Sequence, residues 1–211
     1  MISSLPVRLG LLCGVWLLTI GVGISMVLRY ENTSGAVGAT APHWPLVTQV
    51  ALDSGRDTLV MFVHPKCPCT RATVGELNRI MTQCSGHIVA HVFFLQPAGS
   101  SDDWVHSGLW STAAAIPGVT VQADSKGLIG QKFGAETSGY VVLYNPAGQL
   151  LFSGGITGSR GHAGDNAGED AVIALANGQN PGLTHTLVYG CSLLNEPLVC
   201  KSNECTYSTQ P

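Results

Sequence analysis

Two cysteines separated by one proline, Cys67-Pro68-Cys69, end the apolar, β-branched run Val60-Met61-Phe62-Val63. Thiols so close together suit two chemistries: thiol–disulfide exchange, or binding of a soft ion such as Cu(I). The next segment, Ala72 through Cys84, reads as a helix. A strand that hands a cysteine to the first turn of a helix sets it against unpaired N–H groups and the positive dipole end, which stabilise thiolate over thiol. Pro68 suits the first helical position, where its missing N–H costs nothing. Lys66 and Arg71 add positive charge. His64 lies three residues before Cys67 and offers either a charge that lowers the thiol pKa or a structural hydrogen bond.

Redox work needs a partner for Cys67, the expected attacking or peroxidatic thiol. Cys69 is the expected resolving thiol; a disulfide across one intervening residue closes a small strained ring, and strain makes such a bond more oxidising. Cys191, in Val188-Tyr189-Gly190-Cys191-Ser192-Leu193, is the reserve, because it follows a short apolar stretch that can dock on the domain. Cys84 reads as a buried small residue and Cys13 as an apolar filler. Cys200 and Cys205 read as a local tail disulfide with no catalytic role. In the metal reading Cys67, Cys69 and His64 hold copper, with Cys191 or His162 completing the set. A third reading, from another class, is a non-enzymatic anchored accessory domain whose cysteines are structural. The stretch Gly158–Gly168, which carries Arg160, His162 and Asp165, is either a loop that caps the site or an ordinary connection. It lacks the Lys-Ser/Thr ending of a phosphate loop, and the chain has no HExxH and no serine-hydrolase elbow. The redox reading requires no cofactor; the alternative requires copper.

The elements that must position these residues follow from pattern. Thr58 to His64 reads as a fully buried strand, a continuous apolar run between turn signals. Arg71 to Cys84 reads as a helix with Ala72, Leu77, Ile80 and Met81 on one face and Gly86 as its stop. Ile88 to Leu95 is a second buried strand, which makes a βαβ unit with parallel pairing. Gln96 to Gly108 is a polar loop containing Trp104. Leu109 to Ile116 is a short helix, Val119 to Ala123 a strand, and Lys126 to Phe133 a helix closed by Gly134. Tyr140–Tyr144 and Leu150–Ser153 form a hairpin across Asn145-Pro146-Ala147-Gly148-Gln149. Glu169 to Asn177 is a last helix, with Asn166 as N-cap and Gly178 as terminator. The expected architecture is α/β, a central mixed sheet flanked by helices.

This order, with cysteines at the first strand-to-helix junction, resembles the thioredoxin fold over roughly Pro45 to Gly178. It is most similar to the exported, membrane-tethered branches related to TlpA and the peroxiredoxins. Leu59–Thr70 carries the resemblance, together with Val121-Gln122-Ala123-Asp124, Gly127–Gly134 and the hairpin Tyr140–Gly155. The stretches HPKCPCTRAT and GGITGSRGHAGDNAG further resemble a bacterial group called RedB-like, for which the resemblance implies a redox protein. It implies that Cys67 is the nucleophile, that Thr70 occupies the position of the family's second cysteine, and that Gly139 stands where the family has a proline facing the site. Pro65-Lys66 replaces the family's tryptophan, and Cys69 is turned by about 100° around the helix from that second position.

Composition sets the surroundings. The chain has 211 residues, seven cysteines and a formal net charge of −3, so bulk charge gives no case for nucleic acid as a partner. Only 11% of residues are charged, in part because Gly10 to Leu28 carry no charge at all. That run is about long enough to cross a bilayer as a helix, and longer than the roughly 7–15 residues of a signal-peptide core. The expected organisation is an anchor over 1–30, a linker over 31–45, a thioredoxin-like domain over 46–180 and a cysteine-containing tail over 181–211. The expected location is the cytoplasmic (inner) membrane, single-pass, with the domain facing the periplasm or cell exterior, where disulfides persist. Expected partners are protein thiols or disulfides, or a small thiol or peroxide.

Overall fold

The computed structural model describes residues 4–45, 50–193, 198–201 and 204–207, with side chains over 6–45 and 50–193. The chain divides into two units, Met1–Thr33 and Ser34–Pro211. The first is a single helix, α1 (Ser4–Glu31). Its stretch Pro6–Glu31 has a mean hydropathy of 2.3 and none of its best window is buried, so it is long and apolar enough to cross a bilayer, a property shared with signal sequences.

In the second unit, β1 (Asp57–Val63) leads into α2 (Thr70–Gln83) and β2 (Ile88–Gln96). A short 3-10 turn at Asp102–Trp104 precedes α3 (Gly108–Ala114), β3 (Val119–Ser125) and α4 (Leu128–Phe133). The hairpin β4 (Tyr140–Tyr144) and β5 (Leu150–Gly155) and the helix α5 (Ala167–Ala176) follow. The sheet order is β3-β2-β1-β4-β5, with β1, β2 and β3 parallel and β4 and β5 antiparallel. A separate hairpin pairs β6 (Leu198–Lys201) with β7 (Glu204–Tyr207) and sets the Cys200 backbone opposite Cys205. The side chains of these two cysteines, and the disulfide expected between them, lie outside the described residues.

Both faces of the sheet are covered, which is why its central strands read as unbroken apolar runs. Leu59, Met61, Val63, Val141 and Leu143 join one cluster, together with Val74, Leu77 and Ile80 of α2 and Ala171 and Val172 of α5. Val60, Phe62, Tyr140, Val142 and Tyr144 face the other way, with Ile129 and Phe133 of α4. Phe62 stacks on Phe93 at 5.6 Å, and Trp44 sits edge-on to Phe133 at 5.4 Å. Asp124 is buried at the end of β3 and accepts from the N–H groups of Ile129 (2.9 Å) and Gly130 (2.8 Å), anchoring α4. Asn166 caps α5 as its sequence suggests, accepting from Gly168 and Glu169.

Two segments depart from the expected domain limits. Residues 34–45, expected as a linker, lie along the domain. The Gly38 N–H donates to the Gly134 carbonyl (2.9 Å), the Tyr144 hydroxyl to the Ala41 carbonyl (2.7 Å), and Trp44 N–H to the Gly148 carbonyl (2.7 Å). Residues 184–193, expected as tail, run beside β5 and then along residues 136–138. Thr186 N–H donates to Ser153 O, Ser138 N–H to Cys191 O (2.8 Å), and Leu193 N–H to Glu136 O (2.8 Å). Val188 and Leu193 are buried in the second cluster. Neither strip has helical or strand periodicity; tertiary hydrogen bonds hold them.

Candidate active site

Strand β1 ends at Val63, and a tight turn carries the chain into α2. The Cys67 N–H donates to His64 O (3.1 Å), the Thr70 N–H to Cys67 O (3.2 Å), and the Ala72 N–H to Cys69 O (3.1 Å). Regular helix starts at Thr70 with Cys69 as its N-cap, so Pro68 lies before the first helical turn, not at its first position. Cys67 is 4% exposed and Cys69 9%.

The tail brings a third sulfur to this turn. Cys191 Sγ lies 2.8 Å from Cys67 Sγ, inside van der Waals contact and nearer to bonding distance than any other sulfur pair among the described residues shows. Sequence spacing favours Cys69 as the partner of Cys67. The fold brings Cys191 there because the tail is hydrogen-bonded to residues 136–138, a long-range docking that local spacing does not encode. Cys69, two residues on from Cys67 in the same turn, is the third buried or half-buried thiol here.

The three thiols are electrostatically unequal. Burial raises the Cys67 pKa, but hydrogen bonds from the Cys191 and Thr70 side chains and from their backbone N–H groups outweigh it and hold the thiol below its ordinary value. Cys191 is pushed up to about 12 by burial, by its hydrogen bond to Cys67 and by the charge there. Cys69 is raised by burial and by Cys67, with Arg160 acting in the opposite sense. Of the pair, Cys67 is the thiol held toward thiolate and Cys191 the one held protonated.

Thr70 is buried, and its hydroxyl meets Ser138 Oγ at 2.7 Å. Ser138 Oγ also accepts from His64 N–H at 2.8 Å. Gly139 follows, with φ +91°; its N–H donates to Phe62 O at 2.8 Å, and a Cβ there would meet Thr73 Oγ1 at 3.2 Å. Glycine serves at this position because the chain turns left-handed against α2. Every peptide bond among the described residues is trans.

Lys66 and Arg71 are the residues expected to supply charge to Cys67. The Lys66 ammonium lies 3.5 Å above the Trp104 ring, and Arg71 is exposed. His64 Nδ1 accepts from Lys66 N–H (3.2 Å), and its ring meets Trp104 edge-on at 6.1 Å. Burial, then Lys66, lowers the His64 pKa, which keeps the imidazole neutral. The His64 of the copper reading is thus engaged with the turn and Trp104. His162 is exposed, with Nδ1 3.2 Å from the Arg160 carbonyl. Among the described residues no group of three or more His, Cys, Asp and Glu side chains is arranged to hold a metal ion.

The glycine-rich stretch lies over the cysteines. A Cβ on Gly161 would stand 4.0 Å from Cys69 Cα. Arg160 donates to the Gly190 carbonyl, next to Cys191. The far end of the stretch is fastened to α2. The Gly164 N–H donates to Glu76 Oε1 (2.7 Å), and Arg79 reaches Asp165 (2.8 Å), Glu169 (3.0 Å) and Glu76 (3.5 Å). Glu76 and Glu169 are each 1% exposed, which sequence reading missed. Their signal is positional: Glu76 and Arg79 are one turn apart on α2, and Glu169 opens α5 beside the cap Asn166. Ser138 was missed too, although it adjoins Gly139.

Three parallel strands, an antiparallel hairpin on the β1 side, and paired cysteines where β1 turns into α2 define one architecture. The fold is thioredoxin-like. No family model matches the chain, and no curated protein matches it. Among solved structures, the thioredoxin-like domain is similar to a hypothetical protein of Sinorhizobium meliloti, with 18% identity over 77% of this chain and 96% of that one and a TM-score of 0.55. An uncharacterized conserved protein of Geobacillus kaustophilus gives 17% identity over 79% and 95%, with a TM-score of 0.56. At these identities the likeness is one of fold.

Proposed function

We propose that the protein is a membrane-anchored thiol–disulfide oxidoreductase in which Cys67 and Cys191 make and break a disulfide. One observation carries this reading: two cysteines 124 residues apart in sequence stand with their sulfurs 2.8 Å apart, one of them stabilised as thiolate. The Cys67 thiolate attacks a partner's disulfide sulfur, forming a mixed disulfide and releasing one partner thiolate. Cys191, losing its proton, then attacks Cys67 Sγ and expels the second partner thiolate. The partner disulfide gains two electrons, and the protein is left with a Cys67–Cys191 bond; the reverse sequence oxidises a dithiol. The Thr70 hydroxyl stabilises the attacking thiolate and later the leaving one. Partners are protein thiols and disulfides, or a small thiol or peroxide that reaches Cys67 beneath the Arg160 loop. Helix α1 serves as the anchor, and the domain faces the exported side.

Serine replacements test the pairing. Cys67→Ser abolishes exchange. Cys191→Ser leaves mixed disulfides trapped on Cys67, seen as adducts on non-reducing gels and by peptide mapping. Cys69→Ser still closes the Cys67–Cys191 bond. Full exchange by Cys191→Ser, with a Cys67–Cys69 bond mapped in its place, would overturn the assignment of Cys191.

A further inference from the structure

Three stretches of chain far apart in sequence meet at Thr137: the strap 34–45, the turn before β4, and the tail that carries Cys191. Thr137 is 1% exposed, and its hydroxyl donates to the Ala36 carbonyl at 2.6 Å. Both neighbours of Cys191 rest on it. Ser192 pairs with Thr137 across an isolated antiparallel bridge, and a Cβ on Gly190 would stand 3.4 Å from Thr137 Cγ2. The strap fits the same side chain as closely. A Cβ on Gly35 would stand 2.6 Å from Thr137 Cγ2 and nearer still to Oγ1. The Gly35 N–H also donates to the carbonyl of the buried Val188 at 2.8 Å, three residues before Cys191. Segment 188–193 is therefore bonded to the strap at its start and to residues 136–138 along the rest of its length. Residues 184–193 belong to no helix and to no strand of the five-stranded sheet. Isolated contacts, rather than a ladder, fix where Cys191 stands.

We propose that Thr137 is a positioning residue for Cys191, and that Gly35 and Ala36 of the strap complete its seat. The Thr137 hydroxyl fastens the strap, the strap is tied to the tail at Val188, and the second thiol is thereby presented to Cys67 in one orientation. Every backbone rotation left free in the tail lowers the effective concentration of Cys191 at Cys67, so the seat favours closure of the pair over a lasting mixed disulfide. The segment that follows α1 is on this account part of the redox site and more than a tether. The inference rests on the redox reading for the bond that the seat favours, while the seat itself is measurable without exchange.

The experiment uses the full-length protein in detergent, with Cys69 replaced by serine so that no third thiol competes. Two quantities are read. One is the equilibrium constant of the Cys67–Cys191 disulfide in glutathione buffers. The other is the affinity of the reduced protein for phenylarsine oxide, which bridges two close thiols with no redox step. Urea unfolding is followed on the same samples. Thr137→Val keeps the branched shape and removes the donor, and both quantities fall by about fivefold. Thr137→Ser keeps the donor and holds both within about twofold of the parent. Gly35→Ala crowds Thr137, lowers both by about fivefold or more, and supplies the test should Thr137→Val not fold. Val92→Ala is the control. It opens a cavity in β2, in the opposite core cluster from Val188, and lowers the urea midpoint while both quantities stay unchanged, because they belong to the folded state. Lowered urea midpoints for Thr137→Val and Gly35→Ala with both quantities unmoved would show a structural role only and overturn the proposal. So would a Thr137→Ser protein as weak in both as Thr137→Val. Variants that lose phenylarsine oxide affinity as expected, in a protein that forms no Cys67–Cys191 bond at any glutathione ratio, would instead refute the redox reading and leave the seat of Cys191 standing.

Discussion

Arg160 donates to the carbonyl of Gly190, one residue before Cys191, and so ties the glycine-rich loop to the strand that delivers the second sulfur. The same guanidinium counters the rise of both Cys69 and Cys191, the two thiols with raised pKa values in the cluster. One side chain thereby holds the position of Cys191 and eases its deprotonation.

Replacement of Arg160 by methionine separates these effects from Cys67. Closure of the Cys67–Cys191 disulfide slows by about threefold to tenfold, because Cys191 must ionise without its neighbouring cation. Alkylation of Cys67 at neutral pH stays near the wild-type rate. Stopped-time acid quench with peptide mapping measures the first, and pH-dependent alkylation measures the second.

Gly190→Ala tests the docking of the tail. A Cβ at this position would stand 1.9 Å from the Ser138 carbonyl oxygen, which backbone cannot accommodate. The variant is expected to lose about 2 kcal/mol or more in urea unfolding, as at other positions where a tight backbone approach is blocked. Disulfide mapping should show the Cys67–Cys191 bond replaced by other pairings. A variant with wild-type stability and pairing would mean that the tail can seat Cys191 without the close approach at Ser138.

The Arg79 cluster makes stability depend on pH. Burial, then the hydrogen bond and charge of Glu76, push the Glu169 carboxyl from the ordinary value of 4.5 to about 7, against the pull of Arg79. In that interval the folded chain binds a proton that the unfolded chain has released, so stability from this group is full below 4.5 and declines as pH rises through 7. Glu169→Gln removes the titrating group. Its urea midpoint should be flatter than that of wild type between pH 4.5 and 7, with the two curves separating progressively as pH rises toward 7.

Much of the architecture was legible from local pattern. Buried strands betray themselves as unbroken apolar runs, as Val60–Val63 does, and Asn166 has the residue type a helix cap needs. The turn at Cys67 was legible for the same reason: an apolar strand stops, a proline follows, and a helix begins. What local pattern could not show was which sulfur meets which. Cys69 is two residues from Cys67 and Cys191 is 124 away; long-range hydrogen bonds of the tail, those of Ser138 and Glu136 among them, bring the distant one to the turn. Charge was misleading in the same way. Lys66 is adjacent to Cys67 in sequence, but its flexible stem sets the ammonium over Trp104. The groups that lower the Cys67 pKa are neutral ones, of Thr70 at the start of α2 and of Cys191 on the tail.

The wide sequence separation of Cys67 and Cys191 has an energetic corollary. A covalent bond between them encloses most of the domain in one loop, and on the chain-entropy account a crosslink of that span disfavours the unfolded ensemble by about 5 kcal/mol. Folding and electron transfer then form a thermodynamic cycle: the free energy by which oxidation steadies the domain equals that by which the folded domain resists reduction. At about 30 mV per 1.4 kcal/mol, this corresponds to a shift of roughly 100 mV between the folded and unfolded chain. The reduction potential of this protein is thus written partly in its tertiary structure, and unfolding the chain, by a lesion far from sulfur or by denaturant, will make its disulfide a stronger oxidant.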